Sequence, residues 1–223
     1  MPDPVIRVLL VDDHAMVRRG MRDFLGLHGD IEIVGEAGDG AAAIEQALTL
    51  RPDIVVMDLM MPGVDGIEAT ARIKAEAPEV EVIALTSFIE EARVVAAIEA
   101  GASGFLLKDA EADELAAAIR SAAAGEVHLD PAIAGIVARR MRDGGGAAGG
   151  GRRGDGIAAL TARERDVLAR VARGLPNRQI AEDLGITERT ARTHVSNILA
   201  KLGLASRTQA ALLAVQRGLD RDA

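Results

Sequence analysis

The sequence predicts two units of different class. The first is an α/β unit, a five-stranded parallel sheet with helices on both faces, and the second is an all-α unit of four helices. Three observations carry this expectation. Five short apolar runs alternate with helix-patterned segments through the first 124 residues, the signature of repeated βα units. Residues 143–156 then hold eight glycines in fourteen positions, a composition that makes a tether and not a core. Beyond them the apolar residues recur at helical spacing only.

Val5 to Val11 is the first strand, and it runs straight into Asp12-Asp13. Ala15 to His28 has helical spacing, with Met16, Val17, Met21, Phe24 and Leu25 expected on an inner face and Arg18, Arg19 and Arg22 outside. Ile31 to Ala37 is the second strand. Gly38-Asp39-Gly40 turns the chain into a helix over Ala41 to Leu50, whose Ile44, Ala47 and Leu48 face inward and whose continuation Pro52 blocks. Ile54 to Met57 are four consecutive apolar residues, a strand covered on both faces, and Pro62 and Gly63 end it sharply. Val82 to Leu85 and Gly104 to Leu107 are the remaining strands. Helices over Ile67 to Ala77, Glu90 to Ala100 and Glu111 to Ala124 complete the alternation.

The ends of these strands carry the chemistry. In an open parallel sheet ligands bind beyond the carboxyl ends of the strands, and the third strand delivers Asp58 there. Alone, Asp58 serves equally well as a turn residue. Asp12 and Asp13 at the end of the first strand change that balance. Three clustered carboxylates repel one another without a cation, and hard oxygen ligands at this charge density suit Mg²⁺. The fourth strand ends in Thr86-Ser87 and the fifth in Lys108, so a hydroxyl and an ammonium reach the same edge.

An acid pair, a lone Asp, a Thr and a Lys at successive strand ends resemble the receiver domain of two-component response regulators. The likeness spans Ile6 to Ala124 through Val11-Asp12-Asp13-His14, Met57-Asp58, Met61-Pro62-Gly63, Asp65-Gly66, Leu85-Thr86-Ser87 and Leu107-Lys108-Asp109. It implies a flavodoxin-like (βα)5 fold in which Asp58 accepts a phosphoryl group from a partner histidine kinase. It also implies that Asp13, Asp58 and the backbone carbonyl of Met60 hold Mg²⁺, that Asp12 acts through water, and that Lys108 pairs with the phosphoryl group. Thr86 and Phe105 are the implied switch residues, the hydroxyl moving toward the phosphoryl oxygens while the aromatic ring turns inward. The resemblance implies, finally, that the domain catalyses only its own phosphorylation and dephosphorylation.

The totals narrow the class. With 223 residues and 49% apolar composition the chain is long and apolar enough for two cores. No apolar run approaches the ~18 residues of a membrane span, and the N-terminus lacks a signal-peptide pattern, so no membrane partner and a cytoplasmic location are expected. The absence of Cys excludes disulfides and thiolate metal sites. The absence of Trp and Tyr, with only three Phe, excludes a base-stacking platform. The net charge of -8 is unevenly divided: residues 1–142 carry 13 basic and 25 acidic side chains, whereas residues 157–223 carry 11 and 7. An acidic front and a basic back join something indifferent to nucleic acid to something that binds it. The division is a first domain over 1–128, a linker helix and tether over 129–156 and a DNA-binding domain over 157–223.

In the last domain Thr161-Ala162-Arg163-Glu164 is a capping box, followed by Val167, Leu168, Val171 and Leu175 on one face. Asn177 to Leu184 is a short helix with Ile180, Ala181 and Leu184 inward, and Gly185 turns the chain. Thr187 caps a third helix whose inner line is Ala191, Val195, Ile198 and Leu202, leaving Arg189, Arg192, Thr193 and Ser196 outside. Ser206-Arg207-Thr208-Gln209 is a second capping box and opens the final helix. Short helix, glycine turn and longer helix form a helix-turn-helix pattern sized for the DNA major groove. The stretch resembles the LuxR-type DNA-binding domain, through Leu160-Thr161-x-Arg163-Glu164, Ile180-Ala181, Thr193-His194-Val195-Ser196-Asn197-Ile198 and Lys201-Leu202-Gly203. The two halves together are similar to NarL/FixJ-type response regulators. Arg192, Thr193 and Ser196 are expected to read base edges of double-stranded DNA, with Arg189 and Lys201 on phosphates.

Of the rival readings, a dinucleotide fold is discarded, while a phosphohydrolase-like domain and a phosphorylation-independent regulator stay as alternatives. A dinucleotide fold needs glycines after the first strand, where this chain has Asp12-Asp13-His14. A Mg²⁺-dependent phosphohydrolase needs a second acid two residues after its nucleophile, where this chain has Met60. A small-molecule-sensing or phosphorylation-independent regulator would have a ligand cavity in place of an acidic pocket. His14 and His128 read more simply as loop or capping residues than as metal ligands. Because the tether spans ~20 Å as a flexible coil, control is expected to act through docking or dimerisation. One form has the unphosphorylated receiver cover Arg189 and Arg192. Phosphorylation would then release a homodimer paired through Ala210, Leu212, Leu213 and Ala214 of the final helix.

Overall fold

The computed structural model describes residues 5–126, 128–129, 133, 136 and 156–219. Strands β1 (Ile6–Val11), β2 (Ile31–Ala37), β3 (Ile54–Asp58), β4 (Glu81–Thr86), β5 (Gly104–Leu107) and β6 (His128–Leu129) form one parallel sheet in the order β2-β1-β3-β4-β5-β6. Between them run α1 (Ala15–Leu25), α2 (Gly40–Leu50), α3 (Gly66–Glu76), α4 (Glu91–Ala100) and α5 (Ala112–Ala123). The expected five strands are present. The sixth is two residues long, too short for any periodicity, and is held by the pairs Gly104–His128 and Phe105–Leu129.

The sheet is covered on both faces, which is why its strands are apolar throughout. Val8, Leu10, Ile54, Val56, Ile83 and Leu85 pack toward Leu25, Leu115 and Ile119, while the alternate residues Leu9, Val11, Val55, Met57 and Val82 pack toward Ala43, Ala69 and Ile73. Each such Val, Leu or Ile contributes roughly 1.5–3 kcal/mol on burial. The chain order reverses direction between β1 and β3. That switch point opens the crevice in which ligands of such sheets bind.

The phase expected for α1 is wrong by part of a turn. Met16 is 84% exposed and Val17 is also at the surface, whereas Arg18, expected outside, is largely covered. Arg18, Met21, Phe24 and Leu25 make the inner line instead. The reason is polar: the Arg18 guanidinium donates to the Asp12 carbonyl at 2.5 Å and lies 3.7 Å from Glu36, so the β1 end draws it in. Of the expected linker helix, Ile133 and Ile136 are helical and buried. Its other residues, the tether through residue 155 and the His128 side chain lie outside the described residues.

The second unit begins with a 3₁₀ turn (Gly156–Ala159), followed by α6 (Ala162–Ala172), α7 (Asn177–Leu184), α8 (Glu188–Leu202) and α9 (Arg207–Gln216). The capping box at α6 is complete, Thr161 and Glu164 each accepting from the other's backbone N–H. Gly185 makes the helix-turn-helix bend at φ 63°, a left-handed conformation open to glycine. Val167, Leu168, Val171, Ile180, Ala191, Val195, Ile198 and Leu202 are buried in one core, as the helical spacing predicts. Ala210 and Ala214 belong to that same core, so they are unavailable for pairing two domains. Among the described residues, no single helix is long and apolar enough to cross a membrane.

Candidate functional site

Strand register assembles the pocket. The β1–β3 ladder ends at Val11–Met57, so the next residues, Asp12 and Asp58, emerge side by side. The β4–β5 ladder ends at Thr86–Leu107, and Lys108 follows it with its backbone N–H on the Thr86 carbonyl at 2.9 Å. Four strands thus deliver their terminal polar residues to one edge. Gly66 at the start of α3 lets that helix close against the Asp58 backbone, since a Cβ there would run into the Asp58 carbonyl oxygen.

Lys108 Nζ lies 2.7 Å from Asp12 Oδ2 and 2.7 Å from Asp58 Oδ2. The other oxygens of these carboxylates accept backbone N–H groups, Asp12 Oδ1 from His14 at 2.8 Å and Asp58 Oδ1 from Met60 at 3.0 Å. Asp12 and Asp58 are buried, and Asp13 is at the pocket mouth. Burial pushes the Asp58 carboxyl above its ordinary value of 3.8, with the Lys108 and Met60 hydrogen bonds opposing and the Asp12 charge adding to the rise. Burial pulls the Lys108 ammonium down, but its hydrogen bonds to Asp12 and Asp58 outweigh that, so it stays above its ordinary value and charged.

The donor set fits a hard divalent cation. One ligand atom each from Asp12, Asp13, His14 and Asp58 lie within 4.8 Å of one another, a little wider than the ~4.2 Å across an octahedral Mg²⁺ shell, so a small inward shift of the side chains would close them on an ion. Asp12 Oδ2 and Asp13 Oδ1 are shielded from solvent without an aligned hydrogen bond, meeting only the ion-pair contacts of Lys108 and His14. His14 Nδ1 is 2.7 Å from Asp13 Oδ1 and 3.3 Å from Asp12 Oδ1, which places it among the acids although the sequence favoured a loop role. Its position directly after Asp13 is the one local signal that could have indicated this.

The two switch candidates sit differently. Thr86 is buried, and its hydroxyl donates to the Phe88 carbonyl at 2.9 Å, in the β4–α4 loop. Phe105 is fully buried among Leu59, Ala84, Val94 and Ile98. The inward turn expected of it on activation is already made, because a Phe ring has no hydroxyl to hold it at the surface.

On the second unit Arg189, Arg192, Thr193 and Ser196 are all exposed on α8, so among the described residues the receiver does not cover them as expected. Arg192 pairs with Glu188 at 3.2 Å, and the hydroxyls of Thr193 and Ser196 bond back to the carbonyls of Arg189 and Arg192. Lys201 stands apart from them. Its Nζ is 2.7 Å from Glu164 Oε2 and ties α8 to α6. That hydrogen bond, with the Thr161 backbone, holds the Glu164 carboxyl at about 2.

Comparison with known proteins fits this geometry. Residues 8–120 match the response regulator receiver domain, and residues 158–214 match the bacterial regulatory proteins of the luxR family. The chain belongs to the two-component response regulators. It is 47% identical to the transcriptional regulatory protein LiaR of Bacillus subtilis, over 94% of this chain and 97% of LiaR. It is 42% identical to the response regulator protein VraR of Staphylococcus aureus, over 96% and 98%. Among solved structures, the response regulator ChrA of a heme-sensing two-component system covers 96% of this chain and 98% of its own at 40% identity and a TM-score of 0.52. This response regulator therefore has a receiver and a LuxR-type helix-turn-helix domain, and it acts as a DNA-binding transcription regulator with a kinase upstream.

Proposed function

We propose that Asp58 is the phosphoacceptor and that its phosphorylation controls DNA binding by the C-terminal domain. The working division is a receiver over residues 1–128, a linker over 129–156 and a DNA-binding domain over 157–223, acting in the cytoplasm. An Asp58 Oδ attacks the phosphorus of a phosphohistidine on the partner kinase; the new O–P bond forms as the P–N bond breaks, and the imidazole leaves. Lys108 shifts from the carboxylate to a phosphoryl oxygen and neutralises charge developing there. Asp13, Asp58 and the Met60 carbonyl would hold Mg²⁺, with Asp12 orienting its water; the ion supplies charge neutralisation to the transferring group. The Thr86 hydroxyl leaves the Phe88 carbonyl to bond the phosphoryl group, which frees the loop around exposed Phe88. The chain turns over no external substrate.

The observation that carries this reading is the placement of Asp58 beside Asp12 and against Lys108, at the carboxyl edge of the sheet. On DNA, Arg192, Thr193 and Ser196 read base edges from the exposed side of α8 while Arg189, and Lys201 once it leaves Glu164, meet phosphates. A solved structure holds two RcsB dimers bound to two parallel DNAs, and at 25% identity it supports a DNA-bound homodimer of this chain, which we assign to the phosphorylated state. Labelled phosphoryl transfer from acetyl phosphate, with Mg²⁺, tests the assignment. Wild type is expected to take label and Asp58→Asn none. Equal labelling of both would place the acceptor elsewhere.

A further inference from the structure

The helix proposed to read DNA opens on an acid. Glu188 is the first residue of α8 and the sole carboxylate in it. An acid at a helix start ordinarily caps an amide or answers the helix dipole. Here the cap is already supplied, since Thr187 Oγ1 accepts the Thr190 N–H at 3.2 Å and shares a 2.8 Å hydrogen bond with the Thr190 hydroxyl. Among the described residues the Glu188 carboxylate meets a single group, the Arg192 guanidinium, with Oε1 3.2 Å from Nη2. Both side chains are open to solvent, Glu188 at 45% and Arg192 at 59%, so the pair stabilises the helix little. Against a polyanion such a carboxylate is worse than neutral, because it repels phosphates whatever the sequence. Its place on this face needs a donor on the DNA.

The neighbouring side chains narrow what that donor is. Thr193 and Ser196 commit their hydroxyl protons to the carbonyls of Arg189 and Arg192, at 2.9 and 3.1 Å, and keep only lone pairs for a ligand. Arg189, exposed and without a partner among the described residues, is left to phosphates. Glu188 and Arg192 alone set a charged acceptor beside an array of donors. In the major groove guanine presents N7 and O6 as acceptors, and its paired cytosine presents N4 as a donor. Guanine O6 and cytosine N4 are hydrogen-bonded to each other, hence ~2.9 Å apart. The Glu188 oxygen and the Arg192 nitrogen, 3.2 Å apart, match that spacing with the opposite polarity.

We infer that Glu188 and Arg192 act as one reading unit for a single G·C base pair, Arg192 donating to guanine N7 and O6 while Glu188 accepts from cytosine N4. The inference rests on the proposed function in one respect, that α8 lies in the major groove. A guanidinium has more N–H donors than the bond to Glu188 uses, so that bond persists while the others face guanine. An A·T pair reverses the two inner positions, setting the adenine N6 donor against Arg192 and the thymine O4 acceptor against Glu188. The carboxylate thus adds a penalty against wrong pairs that Arg192 lacks by itself, while lowering affinity for DNA in general. The other acid–base pair of this domain is built differently: Glu164 is covered and also accepts the Thr161 backbone N–H, so it belongs to the α6 cap and faces no ligand.

Library enrichment by the full chain, as wild type, Glu188→Gln and Arg192→Ala, followed by competition anisotropy on the enriched duplex, tests the unit. The base pair concerned is the one whose guanine preference Arg192→Ala removes. There wild type should favour G·C over A·T, and Glu188→Gln should cut that ratio roughly tenfold, because an amide can donate to thymine O4 and a carboxylate cannot. Unselected duplexes should bind Glu188→Gln as tightly as wild type or tighter, since a charge facing phosphates is gone. Thermal melts of the two proteins should coincide, because Glu188 is exposed and Thr187 keeps the cap. A ratio within about twofold of wild type in Glu188→Gln, while Arg192→Ala still relaxes its position, overturns the reading unit and leaves α8 as the reading helix. Enriched sequences unchanged by Arg192→Ala overturn α8 as the reading helix, and the unit with it.

Discussion

Lys108 bridges two buried carboxylates at 2.7 Å each, and its single charge cannot fully offset the burial of both. Burial accordingly raises the Asp58 pKa above 3.8 despite the ion pair. A carboxyl raised on folding lends its stability at low pH, where it is protonated in both states, and loses it as pH rises through the folded value. Asp58→Asn is isosteric and neutral. In metal-free buffer it should raise the melting temperature at pH 7 by roughly 2–4 °C, the shift that ~1 kcal/mol gives at this size, and should have little effect below pH 3.8. Thermal melts at the two pH values check this, and a lower melting temperature at pH 7 would show the ion pair outweighing burial. At this scale the acids, Thr86 and Lys108 are legible in the sequence because each directly follows an apolar run. The double contact of Lys108 is not, since it joins residues 50 and 96 positions apart and depends on strand register. Nor is the place of His14, which a loop conformation decides.

Among the elements, those whose burial follows a single period are read correctly. The inner lines of α6 and α8 fall where spacing puts them, because each packs one face on one small core. In α1 the period is overridden by Arg18, which a carbonyl and Glu36 draw inward, leaving Met16 outside. The cap of α9 is read correctly as a cap and incompletely as a contact, since Gln209 bonds a partner more than a hundred residues away. Along α8 both Arg192 and Lys201 are exposed, and their partners separate them: Arg192 pairs within its own helix with Glu188, whereas Lys201 is held by Glu164 of α6. Arg192→Ala should cost ~1–3 kcal/mol on duplexes enriched by this chain from a random library, and much less on unselected DNA. Equal loss on both would make Arg192 a phosphate contact.

Across the whole molecule, charge division and the glycine tether make two domains legible, but not how they meet. An acidic receiver and a basic DNA-binding domain suggest docking by opposite charge over α8. The structure docks them instead through hydroxyl and amide hydrogen bonds from Ser206, Thr208 and Gln209 to receiver backbone carbonyls, and through one leucine, at the end of the sheet away from Asp58. Composition cannot show this, because neutral hydrogen bonds leave no charge signature. The proposed coupling of Asp58 phosphorylation to DNA binding joins the two domains functionally. It is tested most directly by fluorescence anisotropy of the full chain on library-enriched duplexes, with Mg²⁺ at fixed salt, before and after acetyl phosphate. Wild-type affinity should rise at least roughly tenfold, within the usual range of coupling between two sites, and Asp58→Asn should not respond. An equal rise in both proteins, or none in wild type that has taken up phosphate, would contradict it.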